Sequence, residues 1–391
     1  MKVCSWRSSI RSCPNMRMSG AKRITRNGAG DGHVKRKLRK TGLLLLAMAL
    51  ALGAQQSRKL VIDSSTDPGR LLEQIVRQSD LGAKQTLMEQ FVAKYPSHAG
   101  IPWVVGQLQA IYLRQEEFDA VVDAGQKALA VDPDDVEVSF QNLKAAEGKH
   151  DPDLVKSWAV RSAGQARKIE EAQPAYARQV ELYAEYALYS MALQSTAPVK
   201  TVELVEALER MNSHSQYVPK AMGAYLNALR QTGQAEKAGK KAEVLADALD
   251  ANEDVLIVAA DSLLQKKTDP ARVVLYSNRA IDLLSSKPEK QALLALANWM
   301  AGLGYSAQGQ YEEADKALRA ALPGLTDPQV RAAAYFHLGK ADYELGKASK
   351  DKARLQEALT FTEQASAVRG PLQAQAQKNL KTIRGELNSG R

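Results

Sequence analysis

The sequence has few cysteines and few aromatic residues. Its 391 residues include only two cysteines, Cys4 and Cys13, and both lie near the N-terminus. The rest of the chain therefore cannot form a disulfide framework, a cysteine-ligated metal site or a thiol nucleophile. Aromatic residues make up 6% of the chain although hydrophobic residues make up 45%. This composition, which is also rich in alanine, favours closely packed helices over a β-sandwich.

An excess of positive charge is missing beyond residue 54. The formal net charge is +9, but residues 1–54 contain 12 Lys and Arg and a single acidic residue, Asp31. The remaining chain has 41 Lys and Arg against 43 Asp and Glu. Because phosphate contacts supply much of the affinity for nucleic acids, we expect no nucleic-acid partner. RNA reading by a helical-repeat protein is disfavoured for the same reason.

A basic and then apolar segment lies within the N-terminal 54 residues. Residues 35–40 carry five Lys and Arg, and residues 43–54 are uncharged and rich in Leu and Ala. A positive region, a short apolar core and small residues at its end are typical of a secretory signal peptide, here with cleavage after Gly53 or Ala54. The apolar core is shorter than the roughly 20 residues that span a bilayer. We therefore predict an exported bacterial protein, periplasmic or secreted. Alternatively, the segment stays uncleaved and is the only membrane association, with the body outside the cytoplasm.

The body reads as helical throughout. Residues 55–68 are polar and are predicted to be a linker, and residues 371–391 are predicted to be a capping helix and tail. Between them, over residues 69–370, apolar residues recur at helical spacing, and no alternating strand pattern of useful length occurs. We expect at least seven helical hairpins. The later pairs are predicted at 103–113 with 118–132, 136–147 with 153–168, 174–194 with 199–211, 220–231 with 234–249, 254–266 with 270–284, 291–308 with 311–322, and 329–345 with 355–368.

Helix–Gly–helix blocks recur at about 34-residue spacing, the period of a helical-hairpin repeat. In the block 295–328, Gly302 and Tyr305 hold a small and an aromatic position of the first helix, and Ala314 and Ala321 hold small positions of the second. Small residues allow the paired helices to approach closely, and the aromatic ring fills the gap beside them. The pattern predicts that each hairpin buries its apolar face against its neighbours.

Three further blocks match in part. The block 332–371 matches through Leu338, Gly339, Ala358 and Ala365, but about seven extra residues, 347–354, are predicted between its helices. The other matching positions are Phe118, Ala128 and Pro133 in block 102–135, and Tyr225, Gly233, Ala238 and Leu245 in block 219–252. Residues 136–218 are degenerate in this pattern.

These blocks resemble the tetratricopeptide repeat (TPR) family. The resemblance implies an all-α fold, an α-solenoid superhelix of antiparallel helical hairpins, preceded here by the signal peptide. It also implies binding of a protein or peptide on the concave surface, which the first helix of each pair lines.

The resemblance yields a set of candidate partner-binding residues on first helices. They are Trp103, Asn227, Arg230, Trp299, Met300, Phe336, His337, Lys340 and Tyr343. Trp299, Phe336 and Tyr343 are the strongest because large side chains of this kind dominate binding hot spots. Alternatively, these rings pack between repeats and the polar residues are solvated surface. The Lys-plus-Asn pattern that clamps a C-terminal carboxylate in some family members is not reproduced, since Gly223 precedes Asn227 by one turn.

Four tyrosines in the degenerate stretch are expected to be core rather than site. They are Tyr176, Tyr183, Tyr186 and Tyr189.

No catalytic, metal or cofactor motif rises above background. Beyond residue 54 the histidines are His98, His150, His214 and His337. They lack the spacing of a zinc site. Gly302 and Gly304 superficially fit a dinucleotide fingerprint, but they lie within a helix and not after a strand. We therefore predict a non-catalytic adaptor or scaffold without a small-molecule cofactor. The alternative is an envelope enzyme built on a helical solenoid, for example for glycan cleavage, which a cavity with two facing carboxylates in residues 136–218 would support.

Overall fold

The computed structural model describes residues 62–389, and within that range the regular structure is helical without strands. The first nine helices are α1 (Asp67–Arg77), α2 (Leu81–Lys94), α3 (Ile101–Arg114), α4 (Phe118–Val131), α5 (Val136–Gly148), α6 (Pro152–Lys168), α7 (Pro174–Gln194), α8 (Pro198–Met211) and α9 (Val218–Gln231). The others are α10 (Ala235–Leu245), α11 (Glu253–Lys266), α12 (Pro270–Leu284), α13 (Gln291–Ala307), α14 (Tyr311–Ala321), α15 (Pro328–Ser349), α16 (Lys352–Ala367) and α17 (Gln373–Ser389). The prediction of an all-α fold is confirmed.

The described chain divides into two compact units, of which the first ends at Leu108 and the second begins at Gln109. In the first unit α1 packs against α2. Its core contains the fully buried side chains of Leu72, Ile75, Met88 and Phe91. These residues recur at helical spacing, in agreement with the helical pattern predicted over residues 69–370.

The second unit is a consecutive array of helix pairs. From α4 to α17, each helix packs against the next one along the chain. The odd-numbered helices α5, α7, α9, α11, α13 and α15, here called the first helices, also contact one another in that order. The even-numbered helices α6 to α16 are called the second helices. This is the TPR-like α-solenoid of helical hairpins that the sequence predicts, and with α1 and α2 at least seven pairs are present.

Aspartate caps begin several helices at the predicted places. The Asp151 carboxylate accepts a hydrogen bond from the backbone N–H of Leu154 at 3.1 Å, and Pro152 is the first residue of α6. The Asp327 carboxylate accepts one from the N–H of Val330 at 3.2 Å where α15 begins. A capping carboxylate followed by proline satisfies free N–H groups and presets the helical φ angle, so these boundaries are fixed locally.

The turn between α15 and α16 differs from the prediction. α15 continues to Ser349, and α16 begins at Lys352, so residues 347–354 are not an insertion between shorter helices. Lys350 ends α15 in the left-handed conformation with φ of 55°, and the Asp351 carboxylate accepts from the N–H of Ala353 at 2.8 Å. The extra residues lengthen both helices around a two-residue turn. The left-handed lysine was not predicted because that conformation is uncommon for residues other than glycine.

α10 ends earlier than predicted, at Leu245 instead of residue 249. The Arg279 side chain from α12 donates hydrogen bonds to the carbonyl oxygens of Ala246 and Ala248, both at 2.6 Å. These carbonyls are therefore satisfied by the next pair rather than by a further turn of α10.

Within residues 62–389, no helix combines the length and the apolar character needed to cross a bilayer. The predicted signal peptide and the first half of the predicted linker, residues 55–61, lie outside the described residues.

Candidate partner-binding surface

The nine predicted site residues all lie on odd-numbered helices. Trp103 is in α3 and belongs to the first unit, where it is half-buried. The other eight belong to the second unit, on α9, α13 and α15. The predicted residues therefore lie on α9 and, separately, on the neighbouring helices α13 and α15 of the second unit, rather than in one pocket.

Asn227 and Arg230 lie on α9 and have different surroundings. Asn227 is exposed. The Arg230 guanidinium donates to the Asp261 carboxylate of α11 at 3.1 Å, and Gln265 donates to the same carboxylate oxygen at 2.9 Å. Burial raises the pKa of Asp261, and the nearby Arg230 opposes that shift. Arg230 is thus an ion-pair partner between neighbouring first helices.

A cleft beside this ion pair has a volume of about 220 Å³. It is lined by residues of α9, α10 and α11, including Glu236, Asp261 and Lys266. Small-molecule sites usually enclose roughly 300–1,000 Å³ and are mostly apolar. This cleft is smaller, and most of its lining residues are polar or charged.

Trp299 and Met300 contribute to packing more than to an open surface. Met300 is buried, with 2% of its surface accessible. Trp299 is half-buried and packs on a buried cluster. The members of that cluster are Ala295, Ala321, Leu325 and Ala334. The indole N–H of Trp299 is buried and has no hydrogen-bond partner among the described residues. The structure therefore places Trp299 in the contact between α13, α14 and α15.

The four candidates on α15 are half-buried, and each contacts a ring or a charge nearby. The rings of Phe336 and His337 meet edge to face, with centroids 5.3 Å apart. The Nζ atom of Lys340 lies 5.6 Å from the centroid of Tyr311, and that of Lys347 lies 5.7 Å from the centroid of Tyr343. Of these contacts, Lys340 with Tyr311 links α15 to α14, so part of this face is occupied by packing within the array.

His337 is held in its neutral form. Its Nδ1 atom is buried and has no hydrogen-bond partner among the described residues. Burial, and then the charge of Lys340, lower the pKa of His337 to about 4. The imidazole is therefore uncharged at neutral pH and cannot attract an anionic ligand.

A partly exposed aromatic site that was not predicted from the sequence lies between α7 and α9. Tyr189 stacks on Tyr217 with ring centroids 5.2 Å apart, and Tyr186 meets Tyr217 edge to face at 5.8 Å. The Nζ atom of Lys220 lies 5.3 Å from the centroid of Tyr217. Tyr186 is 43% exposed. We call Tyr186, Tyr189, Tyr217 and Lys220 the tyrosine cluster.

A buried carboxylate holds the tyrosine cluster in place. Glu185 of α7 is 3% exposed and accepts hydrogen bonds from the Asn212 amide at 2.9 Å and the Ser215 hydroxyl at 2.6 Å. The Ser215 oxygen in turn accepts from the backbone N–H of Tyr217 at 3.2 Å. Glu185 therefore fixes the turn that carries Tyr217 beside the tyrosines of α7. Charged groups this deeply buried need such partners.

Tyr183 and Tyr176 serve a different purpose on the same helix. The Tyr183 hydroxyl donates to the Glu147 carboxylate at 2.5 Å, and its ring meets Phe140 edge to face at 5.1 Å. Tyr176 donates to Glu137. Burial, followed by the charge of the glutamate partner, raises the pKa of both hydroxyls. These half-buried tyrosines join α7 to α5, whereas Tyr186 is open to solvent.

The sequence contains a signal that Tyr186 is not a core residue. The buried positions of α7 include Ala177, Val180, Ala184 and Leu188, which share one side of the helix. Tyr186 lies half a turn from both Ala184 and Leu188, so it falls outside that apolar side. A large aromatic residue in such a position is a better site candidate than one that continues the apolar side.

Comparison with known proteins gives structural similarity without sequence relatives. No protein-family model matches the chain, and no curated protein matches it. The chain is similar to the TPR domain of P58(IPK), with 14% identity and a TM-score of 0.30 over 83% of this chain and 99% of that chain. It is also similar to a chain of the APC/C hetero-tetramer Cut9–Hcn1 and to one of Naa15/Naa10 bound to HypK-THB.

The latter two similarities cover a smaller part of the compared chains. For Cut9–Hcn1 the identity is 12% and the TM-score 0.31, over 83% of this chain and 65% of that chain. For Naa15/Naa10 the identity is 16% and the TM-score 0.31, over 83% of this chain and 51% of that chain. The TPR-like fold rests on the helix packing and the repeat pattern described above, and not on these similarities.

Proposed function

We propose that this chain is an exported, non-catalytic scaffold that binds a protein or peptide along the first helices of its second unit. The observation that carries the proposal is the tyrosine cluster. Its rings are partly exposed, they come from first helix α7 and from the turn that leads into first helix α9, and a buried carboxylate network fixes that turn. We therefore place the centre of the binding surface at Tyr186 and Tyr217, whereas the sequence predicted it at Trp299 and Phe336.

The rings of the tyrosine cluster are preorganised for binding. Tyrosine is enriched in binding hot spots because it offers a large amphipathic surface with few rotatable bonds. Tyr217 is already held by stacking on Tyr189 and by the turn that Glu185 anchors. A partner that docks on these rings therefore loses little free energy to ordering them.

Exposed polar groups on neighbouring first helices extend the same surface. Asn227 and Lys220 of α9 are exposed, and the polar cleft beside Arg230 lies between α9 and α11. Tyrosine rings at the centre with polar groups around them are the usual composition of a protein interface. Asn227 and Arg230 thus remain part of the proposed surface, as flanking contacts.

The carboxylates in the polar cleft are already paired, although this cleft lies outside residues 136–218, for which the enzyme alternative expects two facing carboxylates. The Asp261 carboxylate there is already engaged by Arg230 and Gln265. A glycan-cleaving site needs a second, free carboxylate facing the first across the bond to be broken. Glu236, the other acidic residue lining the cleft, pairs with Lys240 at 2.8 Å.

The proposal is tested by cross-linking and affinity capture of the full-length chain from its own cells. The double variant Tyr186→Ala/Tyr217→Ala should retain the captured partner at least tenfold less well than wild type, since hot-spot residues each contribute about 1–2 kcal/mol or more. Leu275→Ser is the matched control, because Leu275 is an exposed hydrophobic residue on second helix α12. Equal capture by the double variant and wild type would refute this assignment of the surface.

Export is tested on the same preparation. We expect the N-terminus of the exported protein to lie next to Gly53 or Ala54. Protein found only in the cytoplasm with an intact N-terminus would contradict this part of the proposal.

A further inference from the structure

Three carboxylates share one guanidinium where α14, α15 and α16 meet. Arg319 of α14 donates from Nε to Asp315 at 2.7 Å. It donates from Nη2 to Asp342 of α15 at 2.9 Å and to Glu357 of α16 at 2.6 Å. We call Asp315, Arg319, Asp342 and Glu357 the Arg319 cluster. It ties three consecutive helices together through a single cation.

Asp342 is the member that water cannot reach. Its side chain is completely buried, whereas the Glu357 side chain is 55% exposed. Only one Asp342 oxygen, Oδ2, has a partner, and Oδ1 is buried without a hydrogen-bond partner among the described residues. An ionised carboxylate at this position therefore has one charged contact and no hydration, which is costly.

The charges around Asp342 leave an excess of negative charge. A second guanidinium, that of Arg354 on α16, pairs with Glu312 at 3.4 Å. The Nη1 atom of Arg354 is buried and has no partner among the described residues. The three carboxylates of the Arg319 cluster and Glu312 make four negative charges, and Arg319 and Arg354 supply only two positive ones. α13, which also packs against α15, has no charged residue. Uptake of one proton would relieve part of this repulsion.

We propose that the Arg319 cluster is a pH-sensitive joint, in which proton uptake by Asp342 tightens the packing of α16 on α14 and α15 and its ionisation loosens that packing. The C-terminal end of the array, α16 with α17 packed on it, is then held more firmly in mildly acidic solution than at neutral pH.

The direction of the effect follows from the titration of Asp342. Burial, and then the charge of Asp315, raise the pKa of Asp342 to about 6, from an ordinary value of 3.8, while Arg319 opposes the rise. The folded-state pKa lies above the unfolded one, so the stabilising effect of the proton is complete below about pH 4. That effect is lost as the pH rises through about 6.

A displacement of Arg319 would also affect two neighbouring aromatic rings. The Arg319 guanidinium carbon lies 5.0 Å from the centroid of Phe361 on α16, and Phe361 stacks on Tyr335 of α15 with centroids 6.0 Å apart. A shift of Arg319 therefore changes the contact that joins α15 to α16. α16 therefore opens more often as the pH rises from about 4 through 6.

Hydrogen–deuterium exchange of the full chain, read by mass spectrometry and corrected for intrinsic exchange rates, tests the proposal. The variant Asp342→Asn keeps the shape of the side chain and cannot ionise. We expect the opening constant of α16 in wild type, divided by that in Asp342→Asn, to rise about tenfold between pH 5 and pH 7. Taking the ratio removes the effects of other titrating groups, which both proteins share.

Glu313→Gln is the matched control, because Glu313 is an exposed acidic residue on α14, the helix that carries Asp315. Its opening constant should follow that of wild type at both pH values. A ratio of wild type to Asp342→Asn that does not change with pH would overturn the proposal. If Asp342→Asn does not fold, carboxyl-carbon NMR of the wild-type chain decides. A titration midpoint of Asp342 near pH 6 supports the joint, and one near pH 4 overturns it.

Discussion

A Cβ atom placed on Gly302 of α13 would lie 2.5 Å from Cγ of Leu318 in α14. The two helices of this pair are therefore in contact at a position where only glycine fits. Gly302→Ala should destabilise the array by about 1–3 kcal/mol, because the added methyl group forces Leu318 out of place. Urea denaturation measures the change.

Gly164→Ala is the control for that prediction. Gly164 lies inside α6, and a Cβ added there meets no atom within 4 Å. Since alanine is the better helix former, this variant should be more stable by about 0.5–1 kcal/mol. Equal effects of the two substitutions would mean that close approach of α13 and α14 is not what Gly302 provides.

Glu253 is a buried carboxylate that depends on two lysines. It accepts hydrogen bonds from Lys287 at 2.8 Å and Lys290 at 2.6 Å. Burial raises its pKa, but the two lysine hydrogen bonds outweigh burial and bring the pKa down to about 2. The folded-state pKa lies below the unfolded one, so the stabilisation is present above about pH 4.5 and is lost as the pH falls toward 2.

Glu253→Gln should therefore lower stability at pH 7 by about 2–3 kcal/mol and flatten the loss of stability in acid. Denaturation midpoints measured from pH 2 to pH 7 test both effects. Glu236→Gln removes an exposed glutamate paired with Lys240, and it should leave the midpoint unchanged. A large effect of the exposed pair, or none of the buried one, would contradict the prediction.

His337 gives a pH dependence of the opposite sign to that of Asp342. Its folded-state pKa is about 4, below the ordinary value, so acid destabilises the fold as the pH falls from about 6.5 to 4. Met300 holds the same position in block 295–328, because it lies two residues before Gly302 as His337 lies two residues before Gly339. His337→Met should therefore remove this loss and raise stability at pH 5 by about 2 kcal/mol. Thermal unfolding at pH 5 and pH 7, with exposed His214→Gln as control, tests this, and an unaltered pH dependence in His337→Met would contradict it.

Trp299 should behave as a packing residue. Trp299→Ala is expected to cost about 3–5 kcal/mol, because it leaves a cavity between α13, α14 and α15. Trp299→Phe, which fills most of the space and removes the unpartnered indole N–H, should cost less than about 1.5 kcal/mol. Urea denaturation and partner capture are measured on the same samples. A Trp299→Ala variant that keeps wild-type stability but loses its partner would restore Trp299 to the binding surface.

The helices were predictable because the signals that define them are local. Capping aspartates, prolines such as Pro152 and Pro328, and apolar residues at helical spacing are all properties of short segments. The two boundary differences have different causes, the first a tertiary contact and the second a local backbone conformation. Arg279 ends α10 from another pair, and Lys350 adopts a conformation that its residue type does not suggest.

The candidate site was harder to predict because side-chain exposure depends on which neighbours arrive. Trp299 is on a first helix as expected, but the turn after α14 brings Leu325 against it. Tyr186 and Tyr183 have the same type of side chain on one helix. Their positions relative to the apolar side of α7 differ, but their partners are known only from the fold: Tyr183 donates to Glu147, whereas Tyr186 contacts Tyr217 and is 43% exposed.

The central claim is that a protein or peptide partner docks on the first helices at the tyrosine cluster. Hydrogen–deuterium exchange of the full chain with and without its cross-linked partner tests this most directly. We predict slower exchange in residues 183–190 and 213–221 of the complex, with α10 and α12 unchanged. Slower exchange confined to second helices, with the tyrosine cluster unaffected, would contradict the claim.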